Sequence, residues 1–323
     1  MQRRQLVQWA GAAAAVAASG RVLAQADKAL TVLVGYAAGG SADLTARVVA
    51  AELAKKLGRP VIVENLAGAS GMLAAQKVLN APADGTTLYM GGTDTVAEPM
   101  VNPRFKFDWS KDFSAIGRMT TLPMVFCVPG TSPYQQLGDL LTHLRKPQRE
   151  PFFFATPGVG TMQHFYGALI NLHGKVAMDH VPYRGGSPIA NDLVGGQVHS
   201  AVLVLSTALP FLRDGKIRAL SVSGASRAPQ LPQVKPIGEE DGFQGLSLPL
   251  WQGLFVKQGT PAAATKALEK ALMDALDQPE VKTRLGDAGI TVAPLTGDQM
   301  QGFVSPQARL YRDIVTTAKI SVD

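Results

Sequence analysis

Short apolar runs that end in glycine and lead into helical patterns recur along this chain, and that alternation constrains its fold more than any other feature. Residues 29–35 read as a strand, Gly39-Gly40 as a turn, and a helical pattern starts at Ser41 with Leu44, Val48, Ala51 and Leu57 on its spacing. Gly58 and Pro60 stop that helix, and residues 60–64 read as the next strand. Gly68-Ala69-Ser70-Gly71 then opens a second helix through Leu73 and Val78, and residues 86–91 give a third strand. Strands alternating with helices of this length call for right-handed crossovers and a mostly parallel sheet.

The same grammar returns after an apolar strand at 123–128. Residues 152–156 read as a strand, Pro157-Gly158-Val159-Gly160 as a turn, and a helix follows from Thr161. A strand at 178–181, the turn Tyr183-Arg184-Gly185-Gly186, a helix at 187–193 and strands at 198–205 and 217–223 continue the pattern. The remainder, with a strand at 253–256 and helices at 262–276 and 279–288, is expected to rejoin the first unit. The fold class predicted is thus α/β with two lobes, each a mostly parallel sheet flanked by helices, joined by two hinge strands. The expected division is 27–125 with 224–323 as lobe one and 126–223 as lobe two.

The first 26 residues have the three parts of a cleavable export signal: Arg3-Arg4, an apolar Ala-rich run over 10–18, and Ala24-Gln25-Ala26 before the cut. The paired arginines resemble a twin-arginine signal, and the apolar run also fits the general secretory route. Cleavage near Ala26 leaves 297 of the 323 residues, to act in the periplasm. No later apolar run reaches the ~18 residues of a spanning helix. At 46% hydrophobic and 17% charged, the chain has ample core for about two domains. The leader carries Arg3, Arg4 and Arg21 and no acid, so the formal charge of +6 becomes +3. No Lys/Arg cluster interleaved with aromatics appears, so nucleic acid is not an expected partner. The single cysteine, Cys127, sits in an apolar strand and reads as a buried, inert thiol.

Each lobe has a strand running through glycine into a helix that starts at a hydroxyl, Ser41 in one and Thr161 in the other. Helix starts carry unpaired N–H groups and partial positive charge, so both are anion sites in prospect; each hydroxyl has the alternative role of capping its own helix. Gly35 to Ser41 has phosphate-loop glycine spacing without the lysine, and Gly158-Val159-Gly160 has Gln163 where a third glycine belongs, so neither is a nucleotide fingerprint. Gly-x-Ser-x-Gly is absent, and the five histidines lack metal-ligand spacing. No catalytic residue, metal or cofactor is expected. His164, one turn into its helix, is the histidine nearest the expected cleft.

The segment Val34 to Arg47, VGYAAGGSADLTAR, resembles the opening signature of the Bug (TctC-like) solute receptors of tripartite tricarboxylate transporters. Further pieces similar to the family follow in order: Val63-Glu64-Asn65, Gly68-Ala69-Ser70-Gly71, Asp84-Gly85-Thr86-Thr87-Leu88, His180-Val181-Pro182-Tyr183-Arg184-Gly185, Gly195-Gly196-Gln197-Val198 and Trp251-Gln252-Gly253-Leu254. The resemblance implies a type II periplasmic binding-protein fold and capture of a small carboxylate by a monomer. It also implies delivery to a two-component membrane permease, without covalent chemistry. The ligand-binding positions it implies are Tyr36, Ala38, Gly39, Ser41, Asp43, Ala69, Ser70 and Thr93 in lobe one, with Thr156, Gly160, Thr161 and Tyr183 in lobe two. Two departures stand out: His199 replaces the acid usual after Gly-Gly-Gln-Val, and Leu203-Val204-Leu205 is apolar where relatives place a polar side chain, which points to a ligand with apolar parts. A sensor subunit shares every one of these residues, and a secreted hydrolase using Ser41, Ser70 or Ser187 is the rival from another class.

Overall fold

The computed structural model describes residues 28–147, 150–183 and 185–321, so the expected leader, its cleavage site and Arg184 lie outside the described residues. The chain runs β1 (Leu30–Val34), α1 (Ser41–Leu57), β2 (Val61–Asn65), α2 (Met72–Asn80), β3 (Thr87–Gly92), α3 (Thr93–Val101), the single turn α4 (Trp109–Asp112) and β4 (Phe113–Leu122). It crosses at Pro123 into β5 (Met124–Pro129), α5 (Leu137–Leu144), β6 (Phe153–Thr156), α6 (Met162–Gly174), β7 (Asp179–Pro182), α7 (Gly186–Val194), β8 (Ser200–Val204), α8 (Leu205–Arg213) and β9 (Ile217–Val222). It returns through β10 (Leu250–Lys257), α9 (Ala262–Leu276), α10 (Pro279–Asp287), β11 (Thr291–Thr296) and α11 (Gly297–Ala318).

Two sheets result, ordered β11-β4-β10-β3-β1-β2 and β7-β6-β8-β5-β9. Parallel pairing is confined to the crossover units, β2-β1-β3 in one and β7-β6-β8 in the other. The strands between them pair antiparallel, which makes both sheets mixed. The cause is the route of the chain. Met124 at the start of β5 pairs with Val204 at the end of β8, so a strand leaving the first sheet enters the second from the end where its parallel strands finish. On the way back, Gln252 near the start of β10 pairs with Gly92 at the end of β3. The carboxyl ends of both parallel sets therefore face the crossings, and in open α/β sheets those ends are where ligands bind.

The parallel strands are short apolar runs because helices cover both their faces. β8 (SAVLV) is buried throughout, and β1 (LTVLV) at all but Thr31. One continuous apolar cluster threads both sheets, from Leu33, Leu88 and Phe255 through Phe126 to Phe154 and Phe165, and a second lies on the other face of the second sheet around Ile189, Leu193, Leu203 and Leu205. Cys127 belongs to that second cluster, fully buried, and burial pushes its thiol far above the ordinary value.

Candidate ligand-binding cleft

Local geometry sets the loops at the strand ends. Gly35 lets the loop after β1 lie against the loop after β2, since a Cβ there would come within 2.3 Å of the Gly71 Cα. Asn65 at the end of β2 ties the two together: its Nδ2 donates to the Tyr36 carbonyl at 3.0 Å, and its Oδ1 accepts from Arg47 at 3.0 Å. Beyond it, Gly68, Ala69, Ser70 and Gly71 all have positive φ, at 144°, 47°, 53° and 92°. Ala69 and Ser70 carry a Cβ in that region, a strain on the order of 1–3 kcal/mol each, of the kind that collects at ligand clamps.

The first turn of α1 starts from the extended Gly40 with no side-chain cap, and Ala38, Gly39 and Gly40 are exposed. Ser41 is the first helical residue and makes no cap bond. Asp43 serves the entrance instead, accepting the Gly39 N–H at 2.9 Å and pairing with Arg47 at 2.9 Å. Burial draws its carboxyl upward, and the bonds from Arg47 and Gly39 outweigh that and hold it below its ordinary value.

The second lobe meets this arrangement through the start of α6. Thr161 is its cap: Oγ1 accepts the His164 N–H at 3.3 Å while the hydroxyl donates to the Gly158 carbonyl at 2.8 Å. The Gly160 N–H donates to His164 Nδ1 at 3.2 Å. The His164 ring stacks on His180, centroids 3.8 Å apart, and His180 Nε2 lies 2.6 Å from the Thr156 hydroxyl. Burial lowers both imidazoles, to about 3 for His164, where His180 adds to the effect, and about 4 for His180.

Two carboxylates of α3 close the seam between the lobes. Asp94 Oδ1 accepts the N–H of Met162, the first residue of α6, at 3.1 Å. Its other oxygen accepts from the Tyr36 hydroxyl, which also stands 3.2 Å from the Ser70 carbonyl. Burial and the Asp94 charge push Tyr36 well above its ordinary value, and burial raises Asp94. One turn on, Glu98 is 2% exposed, with Oε1 accepting from Asn102 at 3.3 Å. Glu98 Oε2 is buried without a hydrogen-bond partner, and a Cβ on Gly160 would come within 2.6 Å of it. Burial, with Asp94 adding, raises this carboxyl to about 7.

Of the residues the sequence pointed to, the structure brings Tyr36, Ser70, Gly160 and Thr161 to the seam. Ala38, Gly39, Ser41 and Asp43 lie at the α1 entrance, with Ala69 on the adjoining loop. Three others make hydrogen bonds within the protein. Thr93 is 1% exposed and accepts the Trp251 N–H at 2.9 Å, tying β3 to β10. Thr156 is fully buried, and Tyr183 gives its N–H to the Thr156 carbonyl and its hydroxyl to Asp192 at 2.7 Å. Asp94 and Glu98 were missed, and their signal was a pair of acids one helical turn apart directly after the Gly91-Gly92 strand end. Leu203, Val204 and Leu205 belong to the cores, so packing accounts for their apolarity and they carry no message about a ligand. His199 is an exposed residue at the opposite ends of the strands, accepting the Phe153 N–H at 3.0 Å and stacking on Phe152 and Phe153.

The tripartite tricarboxylate transporter family receptor, TctC, matches residues 45–319. A protein from the tcbD-tcbE intergenic region of Pseudomonas sp. is 32% identical over 92% of this chain and 88% of its own length. Among solved structures, MatC from Rhodopseudomonas palustris with bound malate is 32% identical, with a TM-score of 0.80 over 89% of this chain and 98% of that one. An R. palustris protein with adipate is 28% identical, with a TM-score of 0.83 over 90% and 97% of the two chains. With strand-end loops of both sheets meeting at one seam and the family matched across 45–319, the chain belongs to the TctC receptor family of tripartite tricarboxylate transporters and is a solute-binding receptor.

Proposed function

We propose that this receptor takes up a small carboxylate between lobes 27–125 with 224–323 and 126–223, in the periplasm after loss of residues 1–26, and hands it to a two-component permease as a monomer without catalysis. The observation that carries the reading is the uncapped first turn of α1, set beside the strained Gly68–Gly71 loop, at the carboxyl ends of the parallel strands. Unpaired N–H groups at a helix start favour an anion, and a strained loop held by Asn65 offers further backbone donors without arginine or lysine. The relatives solved with malate and adipate supply the ligand class. The hydrolase alternative loses ground because the buried imidazoles are committed to Gly160 and Thr156.

Calorimetry with a series of small carboxylates and the amide of each tests the proposal. An acid is expected to bind at least about tenfold more tightly than its amide, since each charge-assisted bond is worth about a decade of affinity or more. Equal affinities, or recovery of chemically altered ligand, would overturn it.

A further inference from the structure

A cavity of about 350 Å³ runs beside α6, between β6, β7 and the residues that end α11, and none of the cleft loops lines it. That volume is in the range of small-molecule sites. Its wall is mostly apolar, with Phe154, Leu172, Val176, Met178 and Ile320, and among the described residues no charged side chain lines it. Leu172 is 42% exposed, so the space opens to solvent. Three polar side chains belong to the wall. Asn171 is taken up in closing the turn from α6 to β7: its Nδ2 donates to the Met178 carbonyl at 2.8 Å and its Oδ1 accepts the Met178 N–H at 3.0 Å. The other two are the stacked imidazoles of His164 and His180.

Hydrogen bonds within the protein fix one nitrogen of each ring. His164 Nδ1 accepts the Gly160 N–H, so the proton of that ring is on Nε2. The Thr156 hydroxyl donates to the Gly158 carbonyl at 3.1 Å, so its oxygen takes the Nε2–H of His180 and leaves Nδ1 of that ring an acceptor. Among the described residues neither His164 Nε2 nor His180 Nδ1 makes a hydrogen bond, and neither is among the side-chain atoms shut away from solvent without a partner, so both are open to a guest. Burial keeps both rings uncharged at neutral pH. A carboxylate therefore finds no cation there, and an ammonium group no anion. A metal ion on His164 would have to displace the Nε2 proton, whose only other seat faces the Gly160 N–H. A hydroxyl answers both nitrogens through one oxygen, because it accepts and donates at once. We propose that this cavity is a second ligand site, besides the cleft between the lobes, for an uncharged and largely apolar molecule with one hydroxyl, an alcohol or a phenol, which accepts from His164 Nε2–H and donates to His180 Nδ1.

NMR of the protein labelled at its methionine methyls and histidine nitrogens, titrated with phenol and with toluene, tests this directly, because Met178 and both imidazoles line the cavity. Phenol is expected to move the Met178 methyl and the ring nitrogens of His164 and His180 along one saturable curve. Toluene fills the same space and leaves both nitrogens unpaired, so it is expected to bind at least about tenfold more weakly. In Ala168→Leu, which adds bulk to the α6 wall of the cavity, the phenol response is expected to vanish while calorimetric affinity for carboxylates is unchanged. The comparison of phenol with toluene needs only the unaltered protein, so the test survives if the variant fails to fold. No saturable response at Met178, or an equal response to toluene, overturns the proposal. A phenol response that persists in Ala168→Leu places the guest elsewhere and overturns it too. Carboxylate binding is measured separately, so the cleft reading and this one stand or fall apart.

Discussion

Glu98 shows how a single buried acid becomes visible in the stability of the whole chain. Its carboxyl is raised from an ordinary 4.5 to about 7 by burial among Val101, Gly160 and Asn102, with the Asp94 charge adding to it. Between those values the folded protein holds a proton that the unfolded chain has released, so stability falls as pH rises through the window. Glu98→Gln removes this dependence. Its melting temperature is therefore expected to gain on the unaltered protein steadily from pH 5 to pH 8, measured by parallel thermal melts, and a constant difference would show that Glu98 is ionised in the folded state. The stacked pair His164 and His180 acts in the other direction. Both imidazoles are depressed, to about 3 and about 4 from an ordinary 6.5, so the unfolded chain binds protons there that the folded chain refuses. Their contribution is complete above about pH 6.5 and is lost on acidification towards pH 4. Nitrogen NMR of the two rings is expected to report neutral imidazoles at pH 5.5, and titration near 6.5 would contradict the burial argument.

Longer elements with a clear period were legible in the sequence, and those that are short or whose period is broken were not. β1, β2, β3, β6 and β8 are apolar runs bounded by Gly or Pro, and the alternation with α1, α2, α6 and α7 reads directly as crossover units. α3, α8 and α11 were missed, and each contains a proline, at 99, 210 and 306; the two-turn α5 and the single turn α4 were missed as well, for their shortness and without a proline. α11 nevertheless forms, with a Thr296–Gln299 capping box and an apolar stripe that includes Val304, Tyr311 and Ile314. β4 mixes Ser, Gly, Arg and Thr with its apolar residues, and edge strand β11 carries Pro294 in a break of its register with β4. Such strands are chosen by pairing with neighbours far away in sequence, information that a local pattern does not hold. The glycine loops were legible because glycine marks unusual backbone, whereas the Asp94–Glu98 pair was not, because its meaning depends on α6 lying opposite. Helix starts were half legible, since a hydroxyl there has two possible uses. The geometry separates them: Thr161 caps α6 while Ser41 caps nothing. Thr161→Ala is accordingly expected to cost about 1 kcal/mol, a fall of a few degrees in melting temperature, and Ser41→Ala to leave the melt unchanged. The reverse order in calorimetry or circular dichroism would reassign the cap.

At the scale of the molecule, what matters is how firmly one lobe is held to the other. The chain passes between the sheets at Pro123 and again between β9 and β10, where the Val222 N–H donates to the Lys235 carbonyl and the Leu248 N–H to the Ser223 carbonyl. α11 adds a third connection. It packs on β4 and α3 of one lobe and α6 of the other, with Tyr311 against Phe165, ring centroids 6.3 Å apart, and Gln307 accepting from both Trp251 and Tyr311. Asp94, Glu98 and Gly160 are packed together at the seam between α3 and α6, so opening of the lobes for ligand exchange is expected to part it. Gly160 is the sensitive point. It has φ +77°, and an added Cβ would lie 2.5 Å from Val101 Cγ2 and 2.6 Å from Glu98 Oε2, so alanine strains the loop and wedges the lobes apart. Contacts inside each sheet are untouched by this change. Gly160→Ala is therefore expected to raise the radius of gyration in small-angle scattering and weaken ligand-driven compaction, with the far-ultraviolet circular dichroism unaltered. A ligand can favour closure only through contacts that the open form lacks, and the wedge removes some of those contacts. An unchanged radius together with unchanged affinity would mean that the seam is not the moving surface, and that opening occurs about α11 instead.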